Sequence, residues 1–337
     1  EESFDKRLIE NNKYREGIIF KPLKPELHIY NRTKIFSNPT LKNSFILLDK
    51  LFDQFLEGDL QANQLFDVEK TAKYFAITDL VNGFHQLARE NMHWYFNPVT
   101  SKIEPIGREW SVRPYIPISN LSGELTNGQF IGERGVINGK IFSDELIYTA
   151  YIKNLERISK KSFLDNFFQV YQPELDSNLA LIYNDYPYYN FDKDFFYKNQ
   201  NFIRSKIVPK NPIKIYAEEL EEGKIKLYTK NLTFLPLVIN KIWIEDKEMG
   251  YNINKKILRS TNDNNIPQKL LDTNLDTLDF TKGINVSWSI FGSENTYDSN
   301  PVLWPYQSNI DVDLIRDVPN FRKFAFVEID KKEKLIN

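Results

Sequence analysis

Over residues 43–82 and 143–208 apolar residues recur every three or four positions. Over the last third they alternate with polar ones. Residues 1 to 40 are polar and irregular, and "KPLKP" (21–25) blocks a long helix there. The run "NSFILLDKLFDQFLEG" (43–58) places Phe45, Leu48, Leu51, Phe52 and Phe55 at helical spacing, with Gly58 as its stop. A second helix begins at Asp67, a good N-cap, and runs through "VEKTAKYFAITDLV". Val68, Ala72, Phe75, Ala76 and Leu80 form its apolar face, and Asn82-Gly83 ends it. Next, "MHWYF" (92–96) and "KIEPI" (102–106) flank the turn residues "NPVTS", which predicts a β-hairpin.

From Trp110 to Phe142 the pattern reads as loop. Ser143 is expected to cap the helix "DELIYTAYIKNLERIS", and "FLDNFFQVYQ", "ELDSNLALIYNDY" and "KDFFYKNQNFIRSKIV" continue in helical character. A break falls at "PKNP" (209–212). Beyond it "IKIYAEE", "KIKLYTKNL", "LVINKIWIE", "INVSWSIF" and "KFAFVEID" read as strands. Short strands at such spacing suggest a β-sandwich. The boundary therefore lies near Val208 to Pro212. It separates a mainly helical domain, 1–209, from an all-β, immunoglobulin-like domain, 210–337, and the fold class is α+β.

Composition narrows the function. A chain of 337 residues fits two domains, and 41% hydrophobic content can build a core. A net charge of −2 argues against a nucleic-acid partner, and no apolar run is long enough for a transmembrane segment. The absence of cysteine removes disulfides, thiolate metal sites and a cysteine nucleophile. The 25 Phe and 18 Tyr accompany sheet-rich folds or sugar-binding surfaces, and core packing is the plainer account. The first residue is Glu1 and no leader pattern follows, so the chain reads as mature, excised or incomplete.

The densest chemistry lies in "HQLARENMHWYFNPVTSKIEPIGREW" (85–110). His85, Glu90 and His93 do not form the metalloprotease motif. Phosphoryl transfer needs oxygen ligands for a divalent cation and a group to orient or deprotonate the acceptor. Protein kinases place an Asn before a hairpin and a carboxylate after it for this purpose. Asn91, the hairpin and Glu109 repeat that order, with one neutral and one charged oxygen for a hard cation. The plainer accounts are an Asn bonded to its own loop and a Glu paired with Arg108, Arg113 or a nearby Lys.

Residues 60 to 110 resemble the CotH kinase family, the spore-coat-H-like branch of the protein-kinase-like fold. The words that carry the likeness are "FDVEKTAKYFAITDLVNG", a His and an Asn six residues apart, and "HWYFNPVTSKIEPI". The likeness extends loosely over residues 15 to 205 and is sharp only over 67–109. It implies a kinase-like C-lobe with an appended sandwich, ATP with Mg²⁺ or Mn²⁺ as cofactor, and metal ligands at Asn91 and Glu109. It implies a protein hydroxyl as acceptor and an extracytoplasmic bacterial setting, at the cell surface or in secreted material. The frequent Asn, Lys and Ile fit an AT-rich bacterial genome.

The chain also departs from the family. Gln86 stands where the catalytic Asp is expected, and its neighbour His85 is the nearby group able to accept a proton near neutral pH. Glu109 replaces an aspartate. Arg89 is suited to hold a phosphate bidentately, or is a solvated loop residue. No glycine-rich phosphate loop or N-lobe lysine is identifiable, and "REGIIFKP" is too short for a whole N-lobe. These departures support an alternative: a catalytically inactive kinase-like scaffold whose β domain binds a surface polymer or protein through Trp243, Trp288 or Trp304. Core packing is the competing role for each Trp.

Overall fold

The computed structural model describes residues 15–23, 27–88, 90–107, 116–126, 129–130, 136–219, 224–244, 247–248, 256–258, 268–274 and 284–305. It shows an α+β protein with two compact units. The first comprises residues 1–122 and 132–205, and the second comprises 123–131 and 206–337.

The first elements among the described residues are β1 (Ile18–Lys21) and β2 (His28–Ile29), where the sequence pattern reads as irregular. Two short apolar runs, "IIFK" and "HI", are too brief to show a period. They are strands because β1 pairs with β3 (His93–Asn97) on one side and with β2 on the other. A helix α1 (Arg32–Ser37) precedes α2 (Pro39–Glu57). Asn38 caps α2 by accepting from the Thr40 and Leu41 amides, and Pro39 occupies the first turn, where no amide is needed. Gly58 closes it with φ of 94°, a left-handed angle. Of the expected core face, Leu48, Phe52 and Phe55 are buried, whereas Phe45 and Leu51 are half-buried.

Then come α3 (Ala62–Leu65) and α4 (Val68–Leu80). Asp67 accepts from the Lys70 amide at 2.9 Å, the cap expected from its position. A 3₁₀ turn (Phe84–Leu87) leads to β3 and then to β4 (Lys102–Ile106). The hairpin is as predicted to within one residue. Asn97 shapes its turn by accepting from the Val99 amide at 2.9 Å, and Ser101 takes φ of 54°.

The hairpin does not stand alone. It is half of a four-stranded antiparallel sheet ordered β2-β1-β3-β4. Register places Ile18, Phe20, Trp94, Phe96 and Ile103 on one face, and Ile19, His93, Tyr95, Glu104 and Ile106 on the other. Trp94 meets Phe20, Phe52 and Phe66 edge-on, with centroids 5.2 to 6.0 Å apart. Glu104, almost fully buried, is satisfied by Asn97 at 2.9 Å and the Lys70 ammonium at 2.6 Å.

Gly17 explains how closely β1 enters this sheet. A Cβ there would stand 2.5 Å from the Phe96 carbonyl oxygen and 2.7 Å from a Tyr95 ring carbon. Gly17→Ala is expected to destabilise the protein by about 1–3 kcal/mol, because the backbone cannot yield as a long side chain would. A shift in the urea midpoint measures it.

The later helices are α5 (Val136–Phe142), α6 (Glu145–Ser159), α7 (Lys161–Asp185) and α8 (Lys193–Ile207). The expectation of loop through Phe142 is therefore corrected by α5, whose Ile141 and Phe142 are buried. The α6 cap is Asp144 rather than Ser143. Its Oδ1 accepts from the Leu146 and Ile147 amides, while the Ser143 hydroxyl turns back to the Lys140 carbonyl. Asp144 prevails because its second oxygen also takes the Asn63 amide and side chain. Helix α6 packs along α4, and α7 runs unbroken for 25 residues through Pro173. No helix among the described residues is long and apolar enough to cross a membrane.

In the second unit a short ribbon pairs β5 (Leu125–Thr126) with β6 (Gln129–Phe130). The alternating region supplies β7 (Ile213–Glu219), β8 (Lys224–Asn231), β9 (Leu237–Ile244), β10 (Lys247–Glu248), β11 (Lys256–Leu258) and β12 (Gln268–Asn274). The last strands among the described residues are β13 (Asn285–Ile290), β14 (Tyr297–Ser299) and β15 (Leu303–Pro305). One sheet runs β12-β8-β7-β15 and the other β10-β9-β13-β14, with β11 also on β9. Among the described residues of these two sheets all pairs are antiparallel except β15 on β7. Trp288 is buried and stacks on Tyr297 at 5.0 Å, so it is a core residue rather than a contact residue; Trp243 is half-buried. The Trp304 side chain and the run "KFAFVEID" lie outside the described residues.

Candidate functional site

The geometry follows from how α4 ends. Asn82 adopts φ of 54°, which breaks the helix, and the chain tightens into the 3₁₀ turn. That turn divides two neighbours. Gln86 points inward and is 1% exposed, donating from Nε2 to the Thr78 hydroxyl at 3.0 Å; Thr78 in turn donates to the Tyr74 carbonyl at 2.7 Å. His85 lies on the exposed side of the same turn.

Asn91 returns to His85. Its Nδ2 donates to the His85 carbonyl at 3.0 Å and meets His85 Nε2 at 3.1 Å. A carbonyl only accepts, so the amide nitrogen must be the atom facing it. Nε2 of His85 therefore accepts, and the Asn91 side-chain oxygen is directed elsewhere. The Asn91 carbonyl meets His93 Nδ1 at 2.8 Å, and His93 Nε2 meets the Tyr30 hydroxyl at 2.5 Å. By the same reasoning His93 carries a proton on Nδ1, and in the neutral ring its Nε2 accepts from Tyr30. The result is a line of hydrogen bonds from Tyr30 through His93 and Asn91 to His85.

Sequence pattern brought out His85 and Asn91 but not Tyr30, 63 residues before His93. Only the β2-β1-β3 order, which lets the Tyr30 side chain just after β2 reach across β1 to His93, puts them together. Arg89 and Glu109 lie outside the described residues. From Ile116 to Ser122 the chain is firmly held. The Ile116 carbonyl accepts from Asn82, the Ile118 amide donates to Asn199 at 3.0 Å, and Ser122 donates through amide and hydroxyl to Asp79 at 3.0 and 2.6 Å. Asn199 also donates to the Leu80 carbonyl at 2.9 Å, tying α8 to the end of α4. In the sequence, the signal for Asp79 was an acid next to Leu80 on a helix face otherwise suited to burial.

Among the described residues no group of three or more His, Cys, Asp or Glu is arranged to hold a metal ion. Asn91 alone would supply one neutral oxygen. No protein-family model, no curated protein and no solved structure matches the chain.

Proposed function

We propose that this protein is an atypical kinase-like phosphotransferase, passing phosphate from ATP to a protein hydroxyl in an extracytoplasmic setting. The observation that carries the reading is the mouth of the hairpin. His93 pairs with Ile106; Asn91 stands just before that pair and Glu109 just after it in the sequence. Asn91 turns its amide nitrogen to His85 and so keeps its oxygen for a donor or a cation. Asn91 and Glu109 would hold Mg²⁺ or Mn²⁺, which would neutralise charge on the nucleotide phosphates. Arg89 would hold a phosphate oxygen. His85 would orient the acceptor hydroxyl, and to take its proton at Nε2 it would first release Asn91.

A second reading is favoured by Gln86. Its buried bond to Thr78 means that the place of the expected catalytic acid serves packing instead. The protein would then be a kinase-like scaffold whose β unit binds a surface polymer or protein.

One measurement separates the two. Under the first reading Mg·ATP raises the unfolding temperature, by the equivalent of about 2.7 kcal/mol at a hundredfold excess over Kd. Glu109→Ala should abolish that shift without lowering the temperature of the unliganded protein. An unliganded protein that unfolds normally but shows no metal-dependent shift rejects the first reading and leaves the scaffold.

A further inference from the structure

Away from the hairpin, α4, α7 and the start of α8 enclose an open groove of about 470 Å³. That volume is within the range of ligand sites, roughly 300–1,000 Å³. Its walls are almost wholly hydrocarbon: Phe163, Phe167, Tyr171 and Leu175 from α7 face Leu80 of α4 and Phe196 of α8. Glu174 is the charged residue in the lining.

Helix α7 is unusual for a helix in contact with water. Of its 25 residues Leu164 alone is buried. Phe167, Val170, Tyr171, Leu181 and Tyr183 are between 41 and 68% exposed. The lining positions 163, 167, 171, 174 and 178 fall at spacings of three and four, so they form one face, and Ile182 continues it past the groove. At 1.5 Å per residue the helix is about 37 Å long. An apolar face longer than its own groove suits an elongated partner better than a small molecule.

Charge selects the partner. Helix α7 carries Asp165, Glu174, Asp176 and Asp185 and one basic residue, Lys161 at its first position, and between Ser162 and Asp192 the chain has no Lys or Arg. Over the groove, beyond Lys161, a second copy laid on α7 would set acid against acid, and an anionic membrane would be repelled. The aromatic wall already accommodates a cation, since the Lys193 ammonium lies 5.1 Å from the Phe168 ring centroid.

We propose that this groove is a docking site for a basic amphipathic helix of a partner protein. Its apolar residues at i, i+4 and i+7 would enter between α7 and α8, and a Lys or Arg beside them would meet Glu174. The inference is independent of any nucleotide chemistry.

The test uses three fluorescein-labelled 18-residue peptides, read by anisotropy with the whole protein near physiological salt. One is amphipathic with Leu and Lys; the second replaces every Lys by Glu; the third keeps Lys but replaces Leu by Ser. The Leu/Lys peptide is expected to bind saturably at 1:1, and the other two at least tenfold more weakly. Glu174→Lys should weaken it about fivefold. Tyr171→Asp should weaken it more than tenfold. Both positions are exposed, so unfolding temperatures should hold. Equal binding of the Leu/Glu peptide, retained binding of the Ser/Lys peptide, indifference to both variants, or no binding at all overturns the proposal.

Discussion

Asp79→Ala is expected to lower stability by about 3–5 kcal/mol, the largest effect of any polar substitution considered. Asp79 is fully buried on α4. Its Oδ1 takes the amide and hydroxyl of Ser122, and its Oδ2 takes the Tyr151 hydroxyl. Alanine would strand these donors, and each buried group left unpaired costs about 1–3 kcal/mol. Hydroxyls can turn to other partners, which keeps the total below the simple sum. Asp79→Asn should recover only part of the loss, since its amide presents a donor where three donors already converge. Thermal unfolding should show a fall of about 10 °C for the alanine variant. A fall under 2 °C would mean that Asp79 does not bind the 116–122 segment to α4 and α6.

Trp94→Ala should cost about 3–5 kcal/mol, for a different reason. The indole is 3% exposed at the centre of an aromatic cluster with Phe20, Phe52 and Phe66. It joins the sheet to α2 and to the α3–α4 junction, so its removal opens a cavity that neither a sheet nor a capped helix can collapse to fill. Val99→Ala, at the hairpin tip and 65% exposed, should change stability by less than about 0.5 kcal/mol. Chemical denaturation of both variants tests the contrast, and equal losses would show that the cluster is not the core of the first unit.

Legibility varied with how far apart the interacting residues lie. The Asp67 cap, the Gly58 stop and the turn at Asn97 were readable because each is a contact within a few residues. Helix α5 and strands β1 and β2 were not, because nothing in short apolar runs separates strand, helix and loop until a partner is in place. The choice of Asp144 over Ser143 depended on Asn63, 81 residues away. At the candidate site, His85 and Asn91 stood out by residue type and spacing, whereas the inward turn of Gln86 toward Thr78 did not.

Hydrophobic period determined the mixed class, the helical character of residues 43–58, 68–80, 144–185 and 193–207, and the alternating β region, and turn residues determined the hairpin, since each reports local backbone geometry. Only the tertiary structure decided that the hairpin belongs to a four-stranded sheet, that Tyr30, His93, Asn91 and His85 join in one line, and that α7 leaves an aromatic face uncovered. Those outcomes depend on which distant surfaces meet, and a side chain's pattern of neighbours in sequence carries no record of its neighbours in space.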